Sequence, residues 1–245
     1  MKKNFSIILV LDPDEIKRLE YDEVGKYLFA NHDILIIPRT FDSKDNFLKN
    51  LTARGLLSHR NALLKSPYDE NNFQELAEAH LAFALEKSTY FSLFCNHLGA
   101  KEVVVEQIEN SSKSGKVIYN VEANTLEVNG KVEGEDEQID ILKSRLSLHD
   151  VFVGGEPQID KAHALLERYK LLGDSSMMSL LEIQRHKINP ISSRKLSLDL
   201  SRESKHLFSI AGSIKFPTLL SEFQGSLKRI TQQSTDFVLT ITVNF

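Results

Sequence analysis

Tryptophan is absent from this chain, and cysteine occurs once in 245 residues. A single thiol excludes an intrachain disulfide and a cysteine-based zinc site. Cys95 has Phe91, Phe94 and Leu98 close by in sequence, so it is expected in the core as an unreactive thiol. Long apolar runs are also missing, and none approaches the roughly 18 residues that a membrane-crossing helix needs. With 6 prolines and 11 glycines the chain is neither collagen-like nor low-complexity. Charge of one sign is not in large excess either. Thirty Lys+Arg against 34 Asp+Glu leave −4, which argues against a wholesale nucleic-acid coat. What is present, 41% apolar and 26% charged residues, is enough for one large globular domain or two small ones.

Met1-Lys2-Lys3 followed by the apolar run Phe5 to Leu11 superficially imitates a signal peptide, but Asp12-Pro13-Asp14-Glu15 follows with no small-x-small cleavage site. The run reads better as a buried strand feeding a helix capped by Asp12, with Pro13 in its first position and Glu15 in its third. These features together predict a soluble, cytoplasmic chain.

Ile34 to Ile37 is a second continuous apolar run, ended by Pro38. Two such strands joined through a helix from Pro13 to about Phe29 predict a parallel pair. A helix over Phe47 to Leu57 follows, then a long one from about Tyr68 to Leu98, carrying Phe73, Leu76, Phe83, Phe91 and Phe94 and closed by Gly99. After Gly99 the texture changes. Val103–Ile108, Lys116–Ala123 and Thr125–Val132 read as a β-meander, with a tight turn near Asn124 and a hairpin signal at Asn129-Gly130. Residues 133–140, with five carboxylates in eight residues, read as a solvated loop or linker.

A helical hairpin is expected next. Ala162, Leu165, Leu166, Tyr169 and Leu172 have a 3.6-residue period that Gly173 ends. Asp174 then caps a second helix bearing Met177, Leu180, Leu181 and Gln184, which Asn189-Pro190 stops. The last fifty residues read mainly as strands: Leu196, Leu198 and Leu200 alternate with polar residues, and Phe208, Ile210, Ile214 and Phe216 share a face. Leu219, Phe223, Leu227 and Ile230 have helical spacing, and Phe237, Leu239, Ile241, Val243 and Phe245 alternate perfectly. The fold class is therefore α+β: an amino-terminal strand–helix segment with a long central helix, then a β-meander, a helical hairpin and a mainly antiparallel carboxy-terminal sheet. A division into residues 1–99 and 100–245 is one expectation, and one continuous domain is the other.

Phosphate-loop, dinucleotide-binding, zincin and nucleophile-elbow motifs are all missing. Pro13-Asp14 and Glu15-x-Lys17 hold the letters of a metal-nuclease signature but fall in the first turn of a helix, where the dipole favours acids anyway. One metal-ligating set stands out. His163 and Glu167 are four apart on one helix, Glu182 and His186 four apart on the next, and an antiparallel pair could bring them together. Surface pairs at this spacing are common on helices that bind nothing.

From Arg185 onward nine lysines and arginines face four acids, a surplus of five positive charges that leaves residues 1–184 nine negative. Of these, Arg185, Lys187, Arg194, Lys195, Arg202, Lys205, Lys228 and Arg229 are candidates for contact with an anionic partner. No reading motif accompanies them, so nucleic-acid binding is not the preferred reading. The expected function is a non-catalytic, cytoplasmic protein-binding or assembly module, a subunit of a larger complex or a self-associating chain, with no cofactor. A hydrolase, including a metal-dependent nuclease, with its site assembled from scattered carboxylates and histidines, is the second reading. A soluble effector that becomes membrane-active through its amphipathic strands is the third.

Overall fold

The computed structural model describes residues 5–39, 45–57, 60–112, 115–130, 135–186, 191–232 and 236–245. They divide into two compact units, residues 1–80 with 203–234 and residues 81–202 with 235–245.

In the first unit β1 (Ile7–Leu11) is apolar and buried at all five positions. It lies inside a sheet ordered β2-β1-β3-β4. The strand β2 (Ile34–Pro38) runs parallel to it on one side, as the two apolar runs predict, and β3 (Asn61–Lys65) runs antiparallel on the other, beside the short β4 (Phe73–Glu75). A cluster of Phe5, Ile8, Val10, Ile37, Leu48, Leu51, Leu63 and Phe73 fills one core region.

The single helix expected from Pro13 to Phe29 is two, α1 (Pro13–Tyr21) and α2 (Glu23–Ala30). Asp22 leaves the helical region (φ −86°, ψ 135°) and caps α2 by accepting the Gly25 N–H at 2.8 Å. Glycine is required at 25 because a Cβ there would lie 2.2 Å from the Leu19 carbonyl oxygen. Glu15 reaches back to the Asp12 N–H at 3.0 Å, so the reading of this helix start holds. The third helix, α3 (Asn46–Ala53), is shorter than the expected Phe47–Leu57.

The long helix begins late. Its observed span is α4 (Ala79–His97), so Tyr68 to Glu78 is not helical. Ser66 Oγ accepts the Tyr68 N–H at 3.1 Å and Asp69 Oδ1 accepts the Asn71 N–H at 2.9 Å. These side chains offer the backbone a turn in place of a helix, and Phe73 then enters on a strand.

The strand expected around Phe208 to Phe216 is instead α8 (Arg202–Ser213), burying Ser204, Phe208 and Ala211 at spacings of four and three. A 3₁₀ turn at Thr218–Leu220 precedes α9 (Ser221–Gln232), where helix was expected; Leu220, Phe223 and Leu227 are buried. Arg60 ties this unit together. It pairs with Glu15 at 3.1 Å and Glu222 at 2.8 Å and donates to the Leu219 carbonyl at 2.9 Å.

In the second unit the meander is observed as β5 (Glu102–Ser111), β6 (Gly115–Asn120) and β7 (Thr125–Gly130), with β8 (His149–Val151) also on β5. Asn129-Gly130 is not a turn: both residues end β7, opposite Lys116 and Gly115. The reversal lies at residues 121–124, where Asn124 takes φ 52° and its side chain accepts the Tyr119 hydroxyl at 2.8 Å. The acidic stretch at 133–140 is not the expected loop over its described part, because α5 (Glu135–Arg145) starts there and Ile139, Leu142 and Leu146 are buried at helical spacing. The helical pair is α6 (Ile159–Arg168) and α7 (Ser175–Arg185), with Asp174 accepting the Ser176 and Met177 N–H groups. Asn189-Pro190 lies outside the described residues.

The sheet, ordered β7-β6-β5-β10-β9, closes with β9 (Ser193–Asp199) and β10 (Asp236–Asn244). Phe237, Leu239, Ile241 and Val243 of β10 are all buried, so the alternation marks an inward face. Phe245 lies one residue past the strand and is half-buried.

Candidate functional site

The second unit's sheet has two unlike faces. Val103, Val105, Ile108, Val117, Leu198 and the four buried side chains of β10 form the inner one. A bulge at Thr240/Ile241 skips Glu106 in the pairing, so that Glu106 and Gln107 both avoid the inner face. Three carboxylates of β5 are each answered by a basic side chain from another strand of the sheet. Glu102 meets His149 Nε2 at 2.6 Å and accepts the Asn244 amide at 2.7 Å. Glu106 meets Lys195 and accepts the Thr242 hydroxyl at 2.5 Å, and Glu109 meets Lys116 at 2.6 Å. Hydrogen bonds, from Asn244 and then His149, hold the Glu102 carboxyl below the ordinary range; those from Lys195 and Thr242 do the same for Glu106. The face is polar, and its three glutamates are each paired within the sheet.

Elsewhere in the unit a cleft of about 220 Å³ is lined by Ser88, Thr89, Ser92, Arg145, Ser147 and Asp150. Asp150 accepts from Ser92 Oγ at 2.6 Å and Ser147 Oγ at 2.5 Å. No imidazole is among the described residues that line it, and the group to which both hydroxyls donate is a carboxylate rather than the imidazole that usually activates a serine. Cys95 is fully buried. Burial, and secondarily the negative charge of Asp150, push its thiol well above the ordinary value. Cys95 is therefore expected to stay unmodified by a disulfide reagent at pH 8 in the native protein and to react at once when urea unfolds it. Stoichiometric labelling of the folded chain within seconds would contradict this placement.

The metal set proposed from sequence is not gathered. His163 and Glu167 lie on α6, Glu182 lies on α7 and His186 is its C-cap, but among the described residues no three His, Cys, Asp or Glu side chains come close enough to hold a metal ion. The helices bury Ala162, Leu165 and Leu166 on one and Met177, Leu180 and Leu181 on the other, and the four candidates lie off those stripes. Glu182 instead pairs with Arg185 at 2.9 Å. Asp14 and Glu15 stand in the first turn of α1, as their nuclease-like letters had been discounted to do.

The basic candidates divide between the units. In the second unit Arg185 is held by Glu182, Arg194 donates to Ser179 Oγ at 3.0 Å and Lys195 is held by Glu106. Arg202 is exposed, and in the first unit Lys205 and Lys228 are exposed as well. Lys187 lies outside the described residues, and Arg229 is placed only as a member of α9. At least Arg185, Arg194 and Lys195 thus have neighbours within their own unit, and the surplus counted along the chain overstates what the second unit offers a partner. The paired charges of the sheet were invisible in sequence because each couples residues from different strands. The alternation of β5 was the only signal pointing to them.

The molecule is an α+β protein with two mainly antiparallel sheets. No family model, curated protein or solved structure matches the chain. No helix among the described residues is long and apolar enough to cross a membrane.

Proposed function

We propose that the chain is a non-catalytic assembly module that joins a second copy of itself through β7. The observation that carries this reading is the state of that strand. It is the last in its sheet, all six of its residues are exposed, and Leu126 and Val128 present 46% and 52% of their surface to solvent. Proteins usually blunt such an edge with lysine, proline or a bulge. Thr125-Leu-Glu-Val-Asn-Gly130 contains neither residue, and its pairing with β6 is regular throughout. A two-fold antiparallel pairing that sets Leu126 opposite its own copy places Glu127 opposite Thr125 rather than another carboxylate. Apolar side chains of both copies then share one face. A reducing, cytoplasmic location belongs to this reading and is supported by the free, buried thiol of Cys95.

Light scattering on the full chain over a range of concentrations tests it. A dimeric mass is expected, and the variant Leu126→Lys with Val128→Lys should be monomeric with an unchanged circular-dichroism spectrum. A native chain that is monomeric at every concentration would end this reading.

A further inference from the structure

Along α4 the residues Leu85, Ser88, Thr89, Ser92 and Leu93 recur at spacings of three and four, so one face of the helix carries hydroxyls and leucines beside its buried row of Phe83, Phe91 and Phe94. That face is one wall of the cleft of about 220 Å³. Arg145 ends α5, Leu146 and Ser147 follow it, and Asp150 stands in the middle of β8; these four complete the lining. The volume lies below the roughly 300–1,000 Å³ of drug-sized sites, which limits an occupant to a small molecule.

The lining carries one group of each charge. Asp150 is half-buried and Arg145 is exposed. Among the described residues neither has an ionic partner, and they do not pair with each other although they share the cleft. Each oxygen of Asp150 accepts one serine hydroxyl, from Ser147 at 2.5 Å and from Ser92 at 2.6 Å. Hydroxyls bring no charge to cancel that of the carboxylate, and a carboxylate has about four acceptor sites, so roughly two stay open. The Arg145 guanidinium offers a planar fork of donors that matches a second carboxylate. A ligand of one charge would be drawn by one of these groups and repelled by the other, and a neutral ligand would answer neither. A molecule that bears both signs satisfies both. Leu85, Leu93 and Leu146 line the same cleft, and Leu93 leaves 44% of its surface in solvent, which suits hydrocarbon in the rest of that molecule.

We propose that this cleft binds a small apolar α-amino acid as its zwitterion, with its carboxylate on the Arg145 guanidinium, its ammonium on Asp150 and its side chain against the three leucines. The lining shares no residue with β7, so the assignment stands or falls independently of self-association.

The probe is L-leucine, titrated into the full-length protein by calorimetry and by amide chemical-shift mapping. Isocaproate, which lacks the ammonium, and isoamylamine, which lacks the carboxylate, are the controls. Saturable binding of L-leucine is expected, with shifts at the Thr89, Ser147 and Asp150 amides, and each control should bind about tenfold more weakly or worse, the value of one hydrogen bond to a charged group. Arg145→Met should weaken L-leucine to the level of isoamylamine, and Asp150→Asn to the level of isocaproate. Arg145 is exposed, so its replacement keeps the test open even if Asp150→Asn disturbs the fold, which circular dichroism reports. L-leucine binding that is undetectable, that Arg145→Met leaves unchanged, that a folded Asp150→Asn variant leaves unchanged, or that either control matches would overturn the assignment.

Discussion

Replacing Lys87 by methionine is expected to cost the second unit about 3–5 kcal/mol of unfolding free energy, the range found when one partner of a buried ion pair is removed. Lys87 is fully buried within α4, and its Nζ lies 2.7 Å from Asp174 Oδ2 and 2.6 Å from the Asp199 backbone carbonyl. Asp174 is 3% exposed and spends its other oxygen on the N–H groups of Ser176 and Met177 at 3.0 Å. One ammonium therefore joins the central helix, the start of α7 and the end of β9. Without it a carboxylate is left in the interior with its charge unanswered, and the Asp199 carbonyl loses the Lys87 hydrogen bond. Asp174→Asn should cost a similar amount from the other side, because the amide keeps an oxygen for the cap but cannot neutralise the lysine. The double variant Lys87→Met with Asp174→Asn should be less destabilised than the two single losses combined, since no unpaired charge remains. Urea unfolding followed by circular dichroism measures all three. Additive losses, or a Lys87→Met variant as stable as the native protein, would show that the pair is not coupled as the geometry requires.

Nothing in the sequence announces this pair. Lys87 follows Ala84 and Leu85 in a helix whose other buried positions are Ala79, Phe83, Ala84, Phe91, Phe94 and Cys95, and a lysine there reads as a residue of the solvent side. Its partner lies 87 residues away at a position recognisable only as a helix cap. Local signals were legible where one element's own side chains decide its conformation. The capping residues Asp12 and Asp174, the parallel pair of apolar runs and the alternation of β10 are all of that kind. The failures occurred where two periods fit equally well. Phe208, Ile210, Ile214 and Phe216 satisfy an alternating strand, yet Ser204, Phe208 and Ala211 satisfy a helix, and the burial of a serine decided for the helix. The acidic stretch that became α5 failed for the opposite reason: its carboxylates hid the three apolar residues that define its inner face. The paired charges of the second sheet were not legible, since Glu102, Glu106 and Glu109 each meet a residue of another strand and only tertiary structure brings them together.

The other large effect belongs to the first unit. Phe73→Ala is expected to destabilise it by about 3–5 kcal/mol, the usual range for removing a buried aromatic ring. Phe73 is 1% exposed, and its ring centroid lies 5.7 Å from that of Phe5 and 5.5 Å from that of Phe47, with Phe5 and Phe47 5.8 Å apart. Phe47 packs edge-on against both Phe5 and Phe73, which adds to the burial of each ring. The three rings join the residue that leads into β1, the first turn of α3 and the edge strand β4, so the cavity left by alanine has walls on three elements and cannot close by moving one side chain. A helix beginning near Tyr68, the periodic reading of the same residues, would place Phe73 five residues into a helix, where alanine is the best helix former and would recover part of the loss. The extended segment observed gives no such compensation. Gln74→Pro separates the two accounts further: proline inside a helix costs about 3 kcal/mol, whereas on this three-residue edge strand the penalty depends on one ladder hydrogen bond. Phe29→Ala serves as the reference, since that ring is 44% exposed and its loss should stay within about 0.5 kcal/mol. Urea midpoints for the three variants decide the matter, and a Phe73→Ala variant no less stable than Phe29→Ala would remove Phe73 from the core and with it the strand that the ring anchors.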